Sequence, residues 1–246
     1  MQINFTQNYS ILNDLFGKAL ADYYHNPEKQ EIITWTNLTE EDPVPLSYFF
    51  RDYAGMPKLE QKAIELSRGK TLDIGCGSGS HSLYIQNKRN IDVTGLDVSS
   101  GAISVAKSRG VDKTVCTSIM DYSAEKFDTL LLLMNGLGIA MTLKGVYPLL
   151  IHLKSLMNPK AQILLDSSNL IYLFDEEDQE NWLNDERYYG EVDYGISYKG
   201  STEEFPWLYL DYENLNELAP LAGFDCKKIM DGENEDYLAC LTSMES

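Results

Sequence analysis

The chain of 246 residues is poor in positive charge, in cysteine and histidine, and in long apolar runs. Its 20 lysines and arginines stand against 38 aspartates and glutamates, a net charge of −18. That balance disfavours nucleic acid, since affinity for a polyanion rests largely on cationic contacts to phosphate. An anionic membrane surface is disfavoured on the same ground. The four cysteines, Cys76, Cys116, Cys226 and Cys240, are widely spaced and form no C-x-x-C pair. Neither a disulfide framework nor a bound metal is expected. No signal-peptide pattern opens the sequence, and no apolar run approaches the length of a membrane span. A cytoplasmic protein is the expectation. No internal repeat or low-complexity segment occurs. What is present is a hydrophobic fraction of 43% with 11% aromatics, ample for a core in one large domain or a domain with an appendage.

The most informative stretch is Leu72-Asp73-Ile74-Gly75-Cys76-Gly77-Ser78-Gly79-Ser80. A short apolar run enters a loop with glycine at every second position, and a helical pattern follows from His81. Strand, glycine loop and helix form the opening unit of a doubly wound sheet, whose ligands sit beyond the carboxyl ends of the strands. A dinucleotide loop would be G-x-G-x-x-G, cradling a pyrophosphate. Here the third position of that pattern is Ser80, and Asp73 stands two residues before the first glycine. A carboxylate repels phosphate and attracts an ammonium group, so the ligand is expected to carry an amino group there.

Asp73 to Gly79 resembles motif I, D/E-x-G-x-G-x-G, of the class I S-adenosylmethionine-dependent methyltransferases. A second feature joins it: Ile91 to Asp97 alternates like a strand and ends in a carboxylate about 20 residues past the loop, placed to hold a ribose diol. Nicotinamide enzymes share that second device, but not Asp73 or this glycine spacing. The resemblance covers roughly residues 57–246. It implies S-adenosylmethionine as cofactor, an α/β fold with a doubly wound, mostly parallel seven-stranded sheet and a C-terminal antiparallel hairpin. It also implies a backbone-lined site at Gly75, Cys76, Gly77 and Gly79, with Asp73 near the ammonium, Asp97 on the ribose and Val98 against the adenine. The family places an acidic residue after the third strand; here Ile119 and Met120 are the expected adenine contacts, with Asp121 the nearest carboxylate.

Along the chain, Ile11 to Tyr24 shows helical spacing and Pro27 stops it. Residues 28–45 are acidic, and Pro43 and Pro45 argue against regular structure nearby. Leu46 to Tyr53 is dense in aromatics and contains Arg51. Pro57 opens a helix ending near Gly69. Ser99 or Ser100 caps a helix to Arg109, Val111 to Thr117 reads as a strand, and Phe127 to Met134 as a central strand buried on both faces. A helix over Leu143 to Met157 and a strand over Ala161 to Asp166 continue the rhythm. The segment 174–211 breaks it, with an acidic cluster from Asp175 to Asp178 and two strand-like stretches around Gly200. Pro206 suits only an edge strand, and the segment reads as a β-hairpin insertion over the sheet edge. A helix near Tyr212 to Ala222 and a terminal hairpin finish the chain. The expected organisation is an N-terminal helical and aromatic cap, 1–56, on a methyltransferase domain, 57–246, carrying the insertion 174–211.

Asn135 follows the fourth strand, where the methyl group would be presented. The N/D-P-P-Y/F pattern of nucleobase and glutamine amino-methylating enzymes is absent there, so Asn135 is expected to serve the cofactor or the pocket wall. Arg51 is a candidate partner of the methionine carboxylate. His25 and Tyr24 are candidates for a general base if the first helix caps the pocket; Trp207 and Tyr209 are candidate substrate walls. His81 and His152 read as structural. The sulfonium is itself a strong methyl donor, so alignment and exclusion of water suffice and no residue is named as catalytic. The expected reaction is in-line methyl transfer to a small molecule. Two alternatives stand beside it: a cofactor-binding protein without turnover, and a nicotinamide-dependent oxidoreductase.

Overall fold

The computed structural model of the protein describes residues 13–174 and 187–244. Ile11, Leu12 and the acidic cluster Asp175 to Asp178 lie outside the described residues. In chain order come helix α1 (Leu15–His25), strands β1 (Glu31–Thr36) and β2 (Thr39–Pro45), and 3-10 turns at Leu46–Phe50 and Tyr53–Gly55. Next are α2 (Lys58–Leu66), β3 (Thr71–Ile74), α3 (Ser80–Arg89), β4 (Val93–Asp97), α4 (Ser100–Ser108) and β5 (Lys113–Cys116). The chain continues through β6 (Phe127–Leu132), α5 (Leu143–Ser155), β7 (Met157–Ser168), β8 (Glu191–Tyr198) and β9 (Ser201–Leu208). It closes with α6 (Tyr212–Leu221), β10 (Phe224–Asp231) and β11 (Asp236–Ser243).

The seven-stranded sheet has the order β10-β11-β7-β6-β3-β4-β5. Strands β3 to β7 pair in parallel; β11 alone runs against them, and β10, antiparallel to β11, points their way again. In β6, Leu130, Leu131 and Leu132 are all buried, because helices cover both faces of the sheet. Leu130 and Leu132 pack with Leu149, Leu153 and Phe224. Leu131 points the other way, into Ala63, Ile64 and Ile85 of α2 and α3. Each such side chain removed from water contributes about 1.5–3 kcal/mol. The chain winds outward from β3 to β5 and returns to β6 on the other side of β3, so strand order switches between β3 and β6. That is where a crevice opens in this architecture.

A second sheet, in the order β2-β1-β8-β9, packs against α1 and the 3-10 turn at Gly136–Ala140. Residues 28–45, expected to lack regular structure, form an antiparallel hairpin. Prolines 43 and 45 fit because β2 is an outer strand, where a missing N–H vacates no interior ladder bond. Pro206 lies on the opposite outer strand, β9, as its chemistry requires. The insertion does not extend the main sheet's edge; β8 pairs with β1, with Trp35 opposite Gly195. A Cβ at Gly195 would lie 2.1 Å from the Trp35 indole, so only glycine leaves room for that ring. Lys199 and Gly200, both at positive φ, make the two-residue turn between β8 and β9, as twisted hairpins prefer.

Helix α1 joins the two layers. Leu15 and Ala19 pack with Ile32, Ile196 and Tyr198 of the covering sheet. On its other side, Leu20 packs with Ala102 and Val105 of α4. Gly17 and Gly101 let the two helices touch, since a Cβ at Gly101 would meet the Gly17 backbone at 2.6 Å.

Candidate functional site

The carboxyl ends of β3, β4 and β6 frame the crevice. Gly75, Gly77 and Gly79 all take positive φ, at 75, 52 and 83°, a region closed to most side chains. Two of them do different work. A Cβ on Gly79 would strike Val111 at 2.7 Å, so this glycine lets α3 start against the neighbouring helix; a Cβ on Gly75 would meet nothing within 4 Å. The open space lies on the crevice side of the loop, where a ligand can approach backbone.

Asp97 ends β4. Its carboxylate accepts the backbone N–H of Gly77 at 2.9 Å and of Ser99 at 2.9 Å. A carboxylate has about four acceptor sites, so two remain for a pair of ligand hydroxyls. Burial, with the charges of Asp14 and Asp73, raises its pKa against those two N–H bonds. A cation in the crevice would relieve that repulsion. Val98, next along, is 42% exposed and leaves a flat apolar surface beside Asp97. Asp73 is buried and accepts a 2.6 Å hydrogen bond from Ser82 at the start of α3. Cys76 is buried too, its sulfur against Gly95; burial and the charges of Asp73 and Asp97 keep it a thiol. Ile119 and Met120 lie in a 3-10 turn after β5, Ile119 packed in the core, while Asp121 is exposed at its end.

Arg51 meets a protein carboxylate. Its Nη2 donates to both oxygens of Glu60, at 2.5 and 2.6 Å, and the pair is almost wholly buried. His81 Nε2 lies 2.6 Å from the same carboxylate. Burial opposes the charges of Glu60 and His81. The hydrogen bond and charge of His81, with Arg51, nonetheless hold Glu60 below the usual carboxylate range. Glu60 and Asp73 raise His81 in return. Among the described residues, Arg51 Nε is buried without a hydrogen-bond partner. This clasp joins the aromatic segment to α2 and to the first turn of α3, and Arg51 stacks on the Tyr48 ring at 3.9 Å.

Beyond β6 the backbone takes two successive left-handed residues, Met134 (φ 61°) and Asn135 (φ 57°). Asp166 at the end of β7 secures them: its oxygens accept the N–H of Met134 at 3.1 Å and of Asn135 at 2.8 Å. The Asn135 side chain donates to the Leu208 carbonyl of β9 and accepts from Ser167, tying the crevice floor to the cover. A cavity of about 250 Å³ opens here, lined by Tyr48, Glu60, Met134, Asn135, Asp166 and Asp236 among others. Trp207 packs on Gly138, just past the turn.

Tyr24 donates to the Ser108 carbonyl at the end of α4, and His25 is exposed beside it; neither lines that cavity. Four other residues tie the site together without having been singled out from the sequence. Asp14 caps α1 by accepting from Gly17 and also accepts from Ser99, Ser100 and Gly101 at the start of α4. Arg109 donates to Ser78 and Ser80 of the glycine loop and stacks over Phe50. Glu60 and Asp166 complete the set. Asp14 had a local signal, an aspartate just before a helix. Glu60 had one as well, a charge within the apolar face Leu59, Ala63, Ile64 of a short helix.

A methyltransferase-domain family model matches residues 71–159. Among solved structures the chain is similar to an S-adenosylmethionine-dependent methyltransferase from Bacteroides fragilis, crystallised in complex with S-adenosyl-L-homocysteine. Identity is 37%, over 94% of this chain and 95% of that one, with a TM-score of 0.85. Two more distant structures share the fold. The amino pentose methyltransferase CalS10 from Micromonospora echinaspora is 13% identical over 78% of this chain and 94% of its own, TM-score 0.53. The sugar N-methyltransferase KedS8 from Streptoalloteichus sp. is 15% identical over 80% and 88%, TM-score 0.54. No curated protein matches the chain.

Proposed function

The chain belongs to the S-adenosylmethionine-dependent methyltransferases, and on that premise we propose that it methylates a small-molecule acceptor in the crevice beyond β3 and β6. Gly75, Cys76, Gly77 and Gly79 would line the amino-acid part of the cofactor with backbone. Asp97 would take the ribose hydroxyls on its two free acceptor sites, and Val98, Ile119 and Met120 would flank the adenine, with Asp121 at the rim. Asp73, which accepts from Ser82 on one oxygen, would act on the ammonium directly or through water. Arg51 would offer its unpartnered Nε to the methionine carboxylate, with Glu60 fixing the guanidinium. Bound there, the cofactor supplies a methyl group activated by the sulfonium charge. The residues do the rest: the Asp166-held turn at Met134 and Asn135 sets the floor on which donor and acceptor align, and the cover excludes water.

The pairing of β1 with β8 supports treating residues 1–56 and 174–211 as one cover over the domain 57–246. Among the described residues no helix is long and apolar enough to cross a membrane. The observation that carries the reading is the open glycine loop facing the Asp97 carboxylate. Calorimetric titration of the full chain with S-adenosylhomocysteine and with NAD tests it. Micromolar binding of the first, weakened about a hundredfold in Asp97→Ala through loss of two charge-assisted hydrogen bonds, is expected. Binding of NAD alone would replace methyl transfer with hydride transfer as the working chemistry.

A further inference from the structure

We propose that the acceptor is an amine, bound as an ammonium ion in the cavity between α2 and the carboxyl ends of β6 and β7, with Asp166 receiving the proton it must shed. The inference rests on the crevice being the methyl-transfer site argued above. Of the ten residues that line the cavity, three are carboxylates, Glu60, Asp166 and Asp236, and none is lysine, arginine or histidine. They come from α2, the end of β7 and the start of β11, so only the fold brings them to one wall. The nearby cations, Arg51 and His81, both lie against Glu60. Both are paired with Glu60, and among the described residues no cation forms an ion pair with Asp166 or Asp236, although the charge of His81 reaches Asp166. An anionic acceptor would be repelled, and a cationic one drawn in. Tyr48 adds an aromatic edge to the same wall.

The groups around Asp166 are Glu60 from α2, His81 from α3, Tyr48 from the aromatic segment, Asp236 from β11, and the N–H groups of Met134 and Asn135. Burial first, then the charge of Glu60, pushes Asp166 up to about 7 against those two N–H bonds. A carboxyl near neutrality takes and returns a proton readily. Its position behind the Met134–Asn135 turn places that capacity beside the site of methyl transfer. The balanced step is short. The ammonium gives one N–H proton to an Asp166 oxygen. The freed lone pair forms the N–C bond to the methyl carbon while the C–S bond breaks, and its electron pair stays on sulfur. An N-methylammonium ion, S-adenosylhomocysteine and protonated Asp166 result, and Asp166 returns its proton to water.

The test uses the full chain saturated with S-adenosylhomocysteine and titrated, by ligand-observed NMR, with butylamine, butanol and butyrate. Asp166→Asn and Asp236→Asn are compared with the unsubstituted protein. The second keeps the oxygen that accepts from Asn234, so it folds even if the first does not. Butylammonium is expected to bind at least about tenfold more tightly than the alcohol or the acid, with several-fold losses in each variant and S-adenosylhomocysteine affinity unchanged in Asp236→Asn. Amine affinity is expected to rise as pH passes about 7, and to lose that rise in Asp166→Asn. Equal binding of all three probes, or no binding to protein that does hold S-adenosylhomocysteine, overturns the proposal alone. Amine binding indifferent to both variants marks mere attraction to an acidic surface and overturns it too. Loss of S-adenosylhomocysteine affinity in Asp236→Asn would assign the cavity to the cofactor's own ammonium, and that also overturns it. Protein that takes up no S-adenosylhomocysteine at all fails the methyltransferase site first, and this proposal with it.

Discussion

The body and the cover of this protein bury β-structure by different means. In the body, β6 carries Leu130, Leu131 and Leu132, all without solvent contact, between helices on either face. Its parallel strands follow one another at short intervals, linked by helices except between β5 and β6, where a 3-10 turn at Ile119–Asp121 suffices. In the cover, β2 exposes Thr39, Glu40, Glu41 and Asp42, and its partner layer comes from the far end of the chain. The cover is attached at defined places: the Asn135 amide on Leu208, Trp207 on Gly138, the Asp14 carboxylate and Leu20 on α4, and Arg51 on Glu60. The site lies on the seam, which suits a reaction that must admit an acceptor and then exclude water.

Four changes would break or sharpen that contrast. Leu131→Ala removes a side chain from the body and should cost about 2–5 kcal/mol of global stability. Amide exchange should quicken in body and cover together; a loss confined to the cover would refute the assignment of Leu131 to the stabilising core. Asp166→Asn acts at the seam. With a folded pKa of about 7 against 3.8, the native protein holds a proton that the unfolded chain has released. That stability is present below about pH 4 and is lost as pH rises through 7. The difference is worth up to about 4 kcal/mol. Denaturant unfolding at pH 5 and pH 8 should therefore show the variant gaining on the parent at the higher pH, and an unchanged gap would remove Asp166 from the buried set.

Gly138→Ala drives a methyl group into Trp207, 2.0 Å from its ring, at a cost of about 1–3 kcal/mol. Faster exchange in β8 and β9 with an unchanged body is the expected signature, together with a raised KM for the acceptor. Asp14→Ala removes a helix cap worth about 1 kcal/mol along with the bonds to α4. Its effect should be limited to exchange in α1 and a few-fold weaker S-adenosylhomocysteine binding. If it unfolds the whole chain, the cover is no separate unit.

The body was legible in sequence because each of its elements announces itself locally. The glycine loop, the Ser99 cap and the unbroken apolar run of β6 need no knowledge of the rest of the chain. Strand bounds moved by a few residues: β7 begins at Met157 rather than Ala161, and α2 ends at Leu66 rather than Gly69. Of the cover, helix α1 and the β8–β9 hairpin were legible, but the β1–β2 hairpin and its joining to β8 were not, for two physical reasons. Prolines 43 and 45 disqualify a central strand but not an outer one, and only the partner sheet reveals which β2 is. The pairing of Trp35 with Gly195 joins residues that no local window contains. The same holds for the site. Asp97 sits at a motif distance, whereas Arg51, Glu60 and His81 meet only once α2 and α3 pack, and Asp166 acquires its raised pKa from neighbours on other elements.

The split origin of the covering sheet also matters while the chain is being made. β1 ends at residue 36 and its neighbour β8 begins at residue 191, so roughly 150 residues must leave the ribosome in between, about 10–30 s at ordinary rates of synthesis. Throughout that interval the inner side of β1, Glu31-Ile32-Ile33-Thr34-Trp35-Thr36, has no strand beside it and is a template for a stray one. Its other side is already shielded by β2, whose Glu40, Glu41, Asp42 and Pro43 repel or refuse a further strand. The nascent protein thus carries an unfinished sheet through most of its synthesis, with the glycine loop and Asp97 emerging before the strands that will cover them.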